Sequence, residues 1–264
     1  MSRLLLALLL ILSMPLLAAG QGLAPFAGKF RETINIGIST REIAIAPDFA
    51  GADITIFGAL ENADQFLLAI GAYDIVVTLE GPIDEVTVRK KENTFGLWIN
   101  KSSMSFLRAP ESYSIASTRT IDSIALPIEL YERNVGLQHL KLVPAWQADS
   151  DYVREFRDAF MRLKQSSGLY QANPGGVSFV SSSLFQASIR LPAEIPNGAH
   201  TVNAYLFKSG EFVMKKTLNL HVVKTGLEQM ITRAAHEQPW AYGLFAVTLA
   251  ILTGWVGSVV FRRD

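Results

Sequence analysis

Four histidines are the residues in this 264-residue chain best suited to ligate a metal or move a proton near neutrality. They are His139, His200, His221 and His236, and no two stand at a metal-ligand spacing such as HExxH. His200 and His221 fall on strand-like runs and read as surface or sheet residues. The chain has no cysteine, which excludes disulfides, thiolate metal sites, a cysteine nucleophile and a lipidated N-terminal cysteine. A P-loop, a GxSxG elbow and a Gly-rich dinucleotide fingerprint are all missing. A Ser- or carboxylate-based site assembled from distant residues leaves no local signature. The expectation is nevertheless a protein that is not an enzyme, with no catalytic residue, metal or cofactor to assign.

Three polar clusters remain. Arg89-Lys90-Lys91, followed by Glu92 and near Trp98, reads as a contact for an anionic ligand or an acidic partner surface. The plainer reading is a solvated strand end that discourages edge pairing. His236-Glu237 lies just before Pro239. It reads as a contact to a partner or lipid headgroup, as a proton-sensitive switch, or as polar residues marking where a bilayer begins. Asp149, Asp151 and Glu155 look like an oxygen-rich cation site but are better explained as carboxylates at a helix start. Formal net charge is zero, so nothing points to a nucleic acid. Asn100-Lys101-Ser102 matches a glycosylation sequon, a short pattern that recurs by chance.

What positions these groups is set first by the two ends. Arg3 precedes an apolar run from Leu4 to Ala19, and Ala18-Ala19-Gly20 offers small residues for cleavage. Residues 1–20 therefore read as a signal peptide. Trp240 to Phe261 contains no charged residue; as a helix it spans roughly 33 Å, enough for a hydrocarbon core of about 30 Å. Trp240 and Tyr242 edge it on one side, Arg262 and Arg263 on the other. The expected topology is single-pass in the inner membrane, bulk in the periplasm, with residues 262–264 as a cytoplasmic tail. Ala246, Ala250, Gly254 and Ser258 form a small-residue ridge along 240–261, a face for helix packing. Leu227, Met230, Ile231 and Ala234 recur at helical spacing within 226–239, which reads as an amphipathic juxtamembrane helix.

Between the ends the chain is mostly β. Ile54, Ile56, Gly58 and Leu60 alternate on one face, as do Tyr73, Ile75, Val77 and Leu79, with Glu80-Gly81-Pro82 as a turn. Val86, Val88, Phe95, Leu97, Ile99, Met104, Phe106, Tyr113 and Ile115 continue the pattern. Residues 21–120 read as a first β-sandwich-like module, immunoglobulin-like in outline but without the Cys-Trp-Cys hallmark. Residues 121–170 read as a mixed, helical connector. Its main helix runs from Asp149 or Asp151 to about Ser166, with Tyr152, Val153, Phe156, Phe160, Met161 and Leu163 on one stripe. Residues 171–225 read as a second, membrane-proximal β module, with Ser209-Gly210 as a tight hairpin turn. Whether the two β stretches form two domains or one is open at this level.

Several segments carry a resemblance. They are Gly168-Leu169-Tyr170-Gln171, Leu184-Phe185 through Ile189-Arg190-Leu191-Pro192-Ala193, Val223-Lys224-Thr225-Gly226-Leu227-Glu228, Ala235 to Pro239 and Gly254-Trp255. Arg89-Lys90-Lys91 and Phe95-Gly96-Leu97-Trp98-Ile99-Asn100 belong with them. Together they resemble an alpha-proteobacterial family of transmembrane proteins. The resemblance implies an inner-membrane protein with a periplasmic domain and implies no mechanism. The functional expectation is an accessory or interaction protein. Its partners are the bilayer and either a polytopic membrane protein, such as a transporter, or a second copy through the transmembrane helix. The alternative is a ligand-binding module for a small molecule, anion or envelope polymer.

Overall fold

The structure, a computed structural model, describes residues 31–226 and 235–260. The expected signal peptide and cytoplasmic tail, and residues 227–234 of the expected juxtamembrane helix, lie outside the described residues.

Four strands, β1 (Thr33–Ile38), β3 (Ala52–Glu61), β9 (Val177–Phe179) and β10 (Leu184–Leu191), form one antiparallel sheet in the order β1-β3-β10-β9. Six more are β2 (Glu42–Ile45), β4 (Tyr73–Glu80), β7 (Tyr113–Ser117), β8 (Tyr170–Pro174), β11 (Gly198–Lys208) and β12 (Glu211–Lys224). They form a second sheet in the order β2-β12-β11-β4-β7-β8, with only the outer pairs, β2 with β12 and β7 with β8, parallel. The remaining strands, β5 (Ile83–Thr94) and β6 (Leu97–Pro110), pair with each other, and β6 makes one further bridge, Phe106 with Pro144.

The alternation read from sequence produces the sandwich. In β10, Phe185, Ala187, Ile189 and Leu191 point inward and are buried, while the residues between them face solvent. They pack with Ile54, Ile56 and Leu60 of β3 against Tyr73, Ile75, Val77 and Leu79 of β4. Gly58 lies in this core because the Phe185 ring crosses it: a Cβ there would stand 2.2 Å from Phe185 Cζ and 2.8 Å from the Asn35 carbonyl oxygen. The mostly β sandwich expected from sequence is thus present.

The two expected modules are corrected by strand pairing. β3 pairs with β10 and β4 with β11, so residues of 21–120 and 171–225 are interleaved in the same sheets. The second stretch is therefore not a separate membrane-proximal module. Each stretch alone would leave central strand edges unpaired, and ladder hydrogen bonds are satisfied only by combining them.

A second core lies on the opposite face of the six-stranded sheet, under helices. Val76, Tyr113, Ile115, Tyr205 and Phe207 meet side chains from β5, β6 and the 121–170 connector. The helices are α1 (Gln65–Ala69), α2 (Ile121–Ile124), α3 (Pro127–Arg133), α4 (Ser150–Ser166) and α5 (Pro239–Val260). Asp149 caps α4, its carboxylate accepting the Asp151 N–H at 2.7 Å. Phe156 and Phe160 are buried, but Leu163, expected on the same stripe, is exposed. Lys164 takes the inward position instead, lying over the Phe160 and Tyr170 rings and donating to the Glu111 carbonyl at 2.7 Å, and turns Leu163 outward. Asp74, nearly fully buried in β4, receives two hydrogen bonds from the Arg119 guanidinium at 2.9 and 2.6 Å and one from Thr118 Oγ1 at 2.8 Å. This pair fastens the chain after β7 to the sheet centre.

Candidate interaction surfaces: a projecting hairpin and an apolar helix

The β5–β6 hairpin is the outward extension of the central β4–β7 ribbon. Glu80 pairs with Tyr113, and Ile83 with Pro110. Between them Gly81 N donates to Ser112 O and Glu111 N to Pro82 O, both at 2.8 Å, so the ladder is carried across the break. Glycine is needed at position 81, because a Cβ would lie 2.4 Å from Ser112 Oγ. Here His200 is fully buried in the sheet; Nδ1 stands 3.2 Å from the Gly198 carbonyl and Nε2 3.4 Å from Ser112 Oγ. Burial holds its pKa below the ordinary value, favouring the neutral ring. Of the two readings from sequence, surface or sheet, the structure makes His200 a sheet residue, while His221 is exposed on β12.

The hairpin stem is bound to the domain. Val88, Met104 and Phe106 enter the second core. Tyr152 Oη donates to Ser103 O at 3.1 Å, and Lys90 Nζ lies 2.6 Å from Glu155 Oε1 on α4. Both ends of that ion pair are about half exposed, so its contribution to stability is small. The Glu155 hydrogen bond raises the Lys90 pKa. With Asp149 capping, Asp151 beside Arg154 and Glu155 beside Lys90, the three acidic residues each have a structural partner.

The tip is different. Phe95 and Gly96 have φ of +51° and +85°, and Asn93 Oδ1 accepts the Gly96 N–H at 2.9 Å. This is a two-residue turn of the mirror-image type, which favours Asn, Asp or Gly at its first position. A phenylalanine there costs roughly 1–2 kcal/mol of left-handed backbone strain, and its ring is fully exposed. Trp98, Leu97 and Ile99 are 70%, 69% and 44% exposed. Asn93 pairs with Trp98, Lys91 with Asn100 and Arg89 with Ser103. Side chains alternate along a strand, so Trp98, Lys91 and Arg89 share one face. Thr94, Leu97, Ile99 and Glu92 share the other, as does Lys90. The structure thus groups Arg89, Lys91 and Trp98 and sets Lys90 apart. Among the described residues Arg89 and Lys91 have no ion-pair partner.

The other candidates lie on a separate segment. His236 and Glu237 are exposed in a helical turn before Pro239. Ala246, Ala250, Gly254 and Ser258 are exposed along α5, and no heavy atom beyond its own helix lies within 4 Å of a Cβ built at Gly254. The α5 window Pro239–Ser258 is long and apolar enough to cross a membrane, and none of it is buried. Its threonine hydroxyls are satisfied internally: Thr248 Oγ1 donates to Leu244 O at 2.8 Å and Thr253 Oγ1 to Leu249 O at 2.9 Å.

Two features escaped the sequence reading. Phe95, Leu97 and Ile99 looked like one alternating strand; Phe95-Gly96 between apolar runs was the signal for a turn. The other is a cavity of about 300 Å³ beside the hairpin root, lined by Glu80, Arg108, Pro110, Asn134, Leu140 and Lys141 among others. Burial pushes the Glu80 carboxyl upward, opposed by Lys215 and by hydrogen bonds from Thr78 and Asn203. No sequence motif joins the lining residues, because they come from three distant segments, 80–83, 108–110 and 134–143.

Residues 33–263 match the family described as "Putative transmembrane protein (Alph_Pro_TM)". The chain belongs to this family. The match bears out the resemblance carried by the juxtamembrane and hairpin residues, and Alph_Pro_TM membership agrees with one apolar helix following a β-rich domain. No curated protein is similar to it in sequence. Among solved structures, the chain is similar to AggA, the major subunit of aggregative adherence fimbriae type I from Escherichia coli. Identity is 10%, coverage 74% of this chain and 96% of that one, and TM-score 0.26. It is also similar to the N-terminal domain of the Streptococcus gordonii adhesin Sgo0707, at 8% identity and TM-score 0.24. That match covers 72% of this chain and 32% of the adhesin chain.

Proposed function

We propose that this Alph_Pro_TM protein is a non-enzymatic accessory protein of the inner membrane. It is exported by a cleaved signal peptide, holds its β domain in the periplasm and docks on a polytopic membrane partner through α5. The observation that carries this reading is the open Ala246–Ala250–Gly254–Ser258 ridge along an apolar helix. Small residues repeated every fourth position let a second helix approach closely, which gives a packing surface within lipid.

The test is purification of the intact protein from native membranes in mild detergent, beside Gly254→Leu and a control lacking Trp240–Asp264. A stoichiometric membrane protein recovered with the intact chain and lost from Gly254→Leu supports the reading. Recovery of the chain alone, or equal recovery of the partner with Gly254→Leu, overturns docking through α5.

The cavity beside Glu80 favours a second reading, a periplasmic ligand-binding module. Its volume is at the small end of the usual range for ligand sites, and Arg108 and Lys141 in its lining would suit an anion. Under this reading Arg108→Glu abolishes any thermal stabilisation by small anions. Absence of stabilisation in the unaltered protein removes the reading.

A further inference from the structure

We infer that the tip of the β5–β6 hairpin is a lipid-contacting element. In this arrangement Phe95, Leu97, Trp98 and Ile99 enter the headgroup region of the same bilayer that α5 crosses, while Lys91 and Arg89 meet anionic headgroups behind them.

The first observation is the tip itself. Four large apolar side chains cluster at the end of a ribbon, exposed to solvent, and one occupies a backbone conformation that disfavours it. Burying each such side chain is worth about 1.5–3 kcal/mol, so a surface that covers the tip recovers more than the strain at Phe95 costs.

The second is the order of side chains along one face. Phe95 stands at the apex, then Trp98, then Lys91 beside Asn100, then Arg89 beside Ser103. Each two-residue step is roughly 7 Å. Aromatic residues therefore lead, and cations follow at the depth of lipid phosphates when the aromatics sit in the interface. Tryptophan prefers that region. Arg89 and Lys91 are available for phosphate, whereas Lys90 and Lys101 are paired with Glu155 and Glu92.

The third is position. Asn219, Thr201, Glu80 and Tyr113 form one row across β12, β11, β4 and β7. The hairpin root follows Glu80, and β12 ends at Lys224, so both leave the same end of the six-stranded sheet. The hairpin strand of 12 residues covers about 40 Å. With the turn at 235–237 helical, the chain from Lys224 to Pro239 reaches at most about 40 Å. The tether is thus long enough for the tip to touch the bilayer. A soluble partner gives no reason for this ordering of aromatics and cations, or for the shared end of the sheet.

The inference rests on the membrane anchor and not on docking through α5, so either can fail without the other. Because the chain lacks cysteine, Thr94→Cys gives a single attachment site for an environment-sensitive fluorophore, with Asp158→Cys on α4 as a control. The labelled full-length proteins are reconstituted into phosphatidylcholine vesicles with and without phosphatidylglycerol, and quenching by brominated lipid is read. The label at 94 should be blue-shifted and quenched, more strongly with phosphatidylglycerol, and the label at 158 should be neither.

Phe95→Asn and Trp98→Ser should each lower the inserted population about tenfold. Arg89→Glu with Lys91→Glu should remove the dependence on phosphatidylglycerol, each cation being worth about fivefold. Phe95→Asn suits its turn, so it loses quenching without losing thermal stability, which separates lipid contact from folding. An unquenched label at 94 in both vesicle types overturns the inference. Protection of that label in native membranes but not in pure lipid overturns it as well, and assigns the tip to a protein.

Discussion

The central sheet and the hairpin tip are parts of one ribbon with opposite surroundings. β4 is buried on both faces, with Tyr73, Ile75, Val77 and Leu79 in one core and Val76 in the other. Where the same ribbon passes Lys91, its apolar side chains have no neighbouring layer and face solvent. Apolar patterning therefore does two jobs here. In β4 it makes the fold, and at the tip it offers a surface.

Breaking the buried region should produce the largest effects. Phe185→Ala is expected to cost about 3–5 kcal/mol, since it empties the space over Gly58 between the sheets. The check is a urea titration of the detergent-solubilised protein; a loss under about 1 kcal/mol would mean that the sandwich core is loosely packed.

Arg119→Ala ranks next. It leaves the buried Asp74 carboxylate without the two guanidinium hydrogen bonds and should cost about 1–3 kcal/mol. Partial exposure of Arg119 keeps the loss below that of a fully buried pair. Arg119→Lys should recover only part of it, because an ammonium cannot reproduce the bidentate geometry.

The tip should respond in the opposite direction. Phe95→Asn places a residue suited to positive φ at the first turn position and should stabilise the protein by about 1 kcal/mol. A destabilised variant would show that the Phe95 ring packs on the domain.

The smallest expected effect is a pH dependence at the hairpin root. The folded pKa of Glu80 is raised by burial, so the native state holds its proton more tightly than the unfolded state. Its stabilising contribution is complete below about 4.5, the ordinary carboxylate value, and is lost as pH rises through the folded pKa. His200 acts in the opposite sense. Its lowered pKa makes stability fall as pH drops below 6.5. Melting temperatures of wild type and Glu80→Gln across this range should diverge as pH rises, with the Gln variant the more stable at neutral pH. Parallel curves would show that Glu80 is solvated.

Much of the fold was legible because it depends on local period. The alternations at Ile54–Leu60 and Tyr73–Leu79 became β3 and β4, Asp149 capped α4, and Ser209-Gly210 formed the β11–β12 turn with φ of +50° and +91°. The candidate surfaces were only partly legible. Arg89, Lys91 and Trp98 stood out as residue types, but their common face depends on the Asn93–Trp98 register, which the unrecognised Phe95-Gly96 turn sets. Phe95 looked like a strand residue rather than a turn, because hydrophobicity alone cannot tell a core face from a surface waiting for a partner.

The sequence by itself determined a β-rich region joined to an apolar segment long enough to span a bilayer, since strand alternation and helix length follow from backbone geometry. Tertiary structure decided that two distant β stretches share their sheets, that Glu80 and His200 meet at one root, and that an aromatic tip extends from it. Those outcomes depend on long-range pairing, in which a strand's partner is selected by register and packing across the whole chain rather than by its neighbours in sequence.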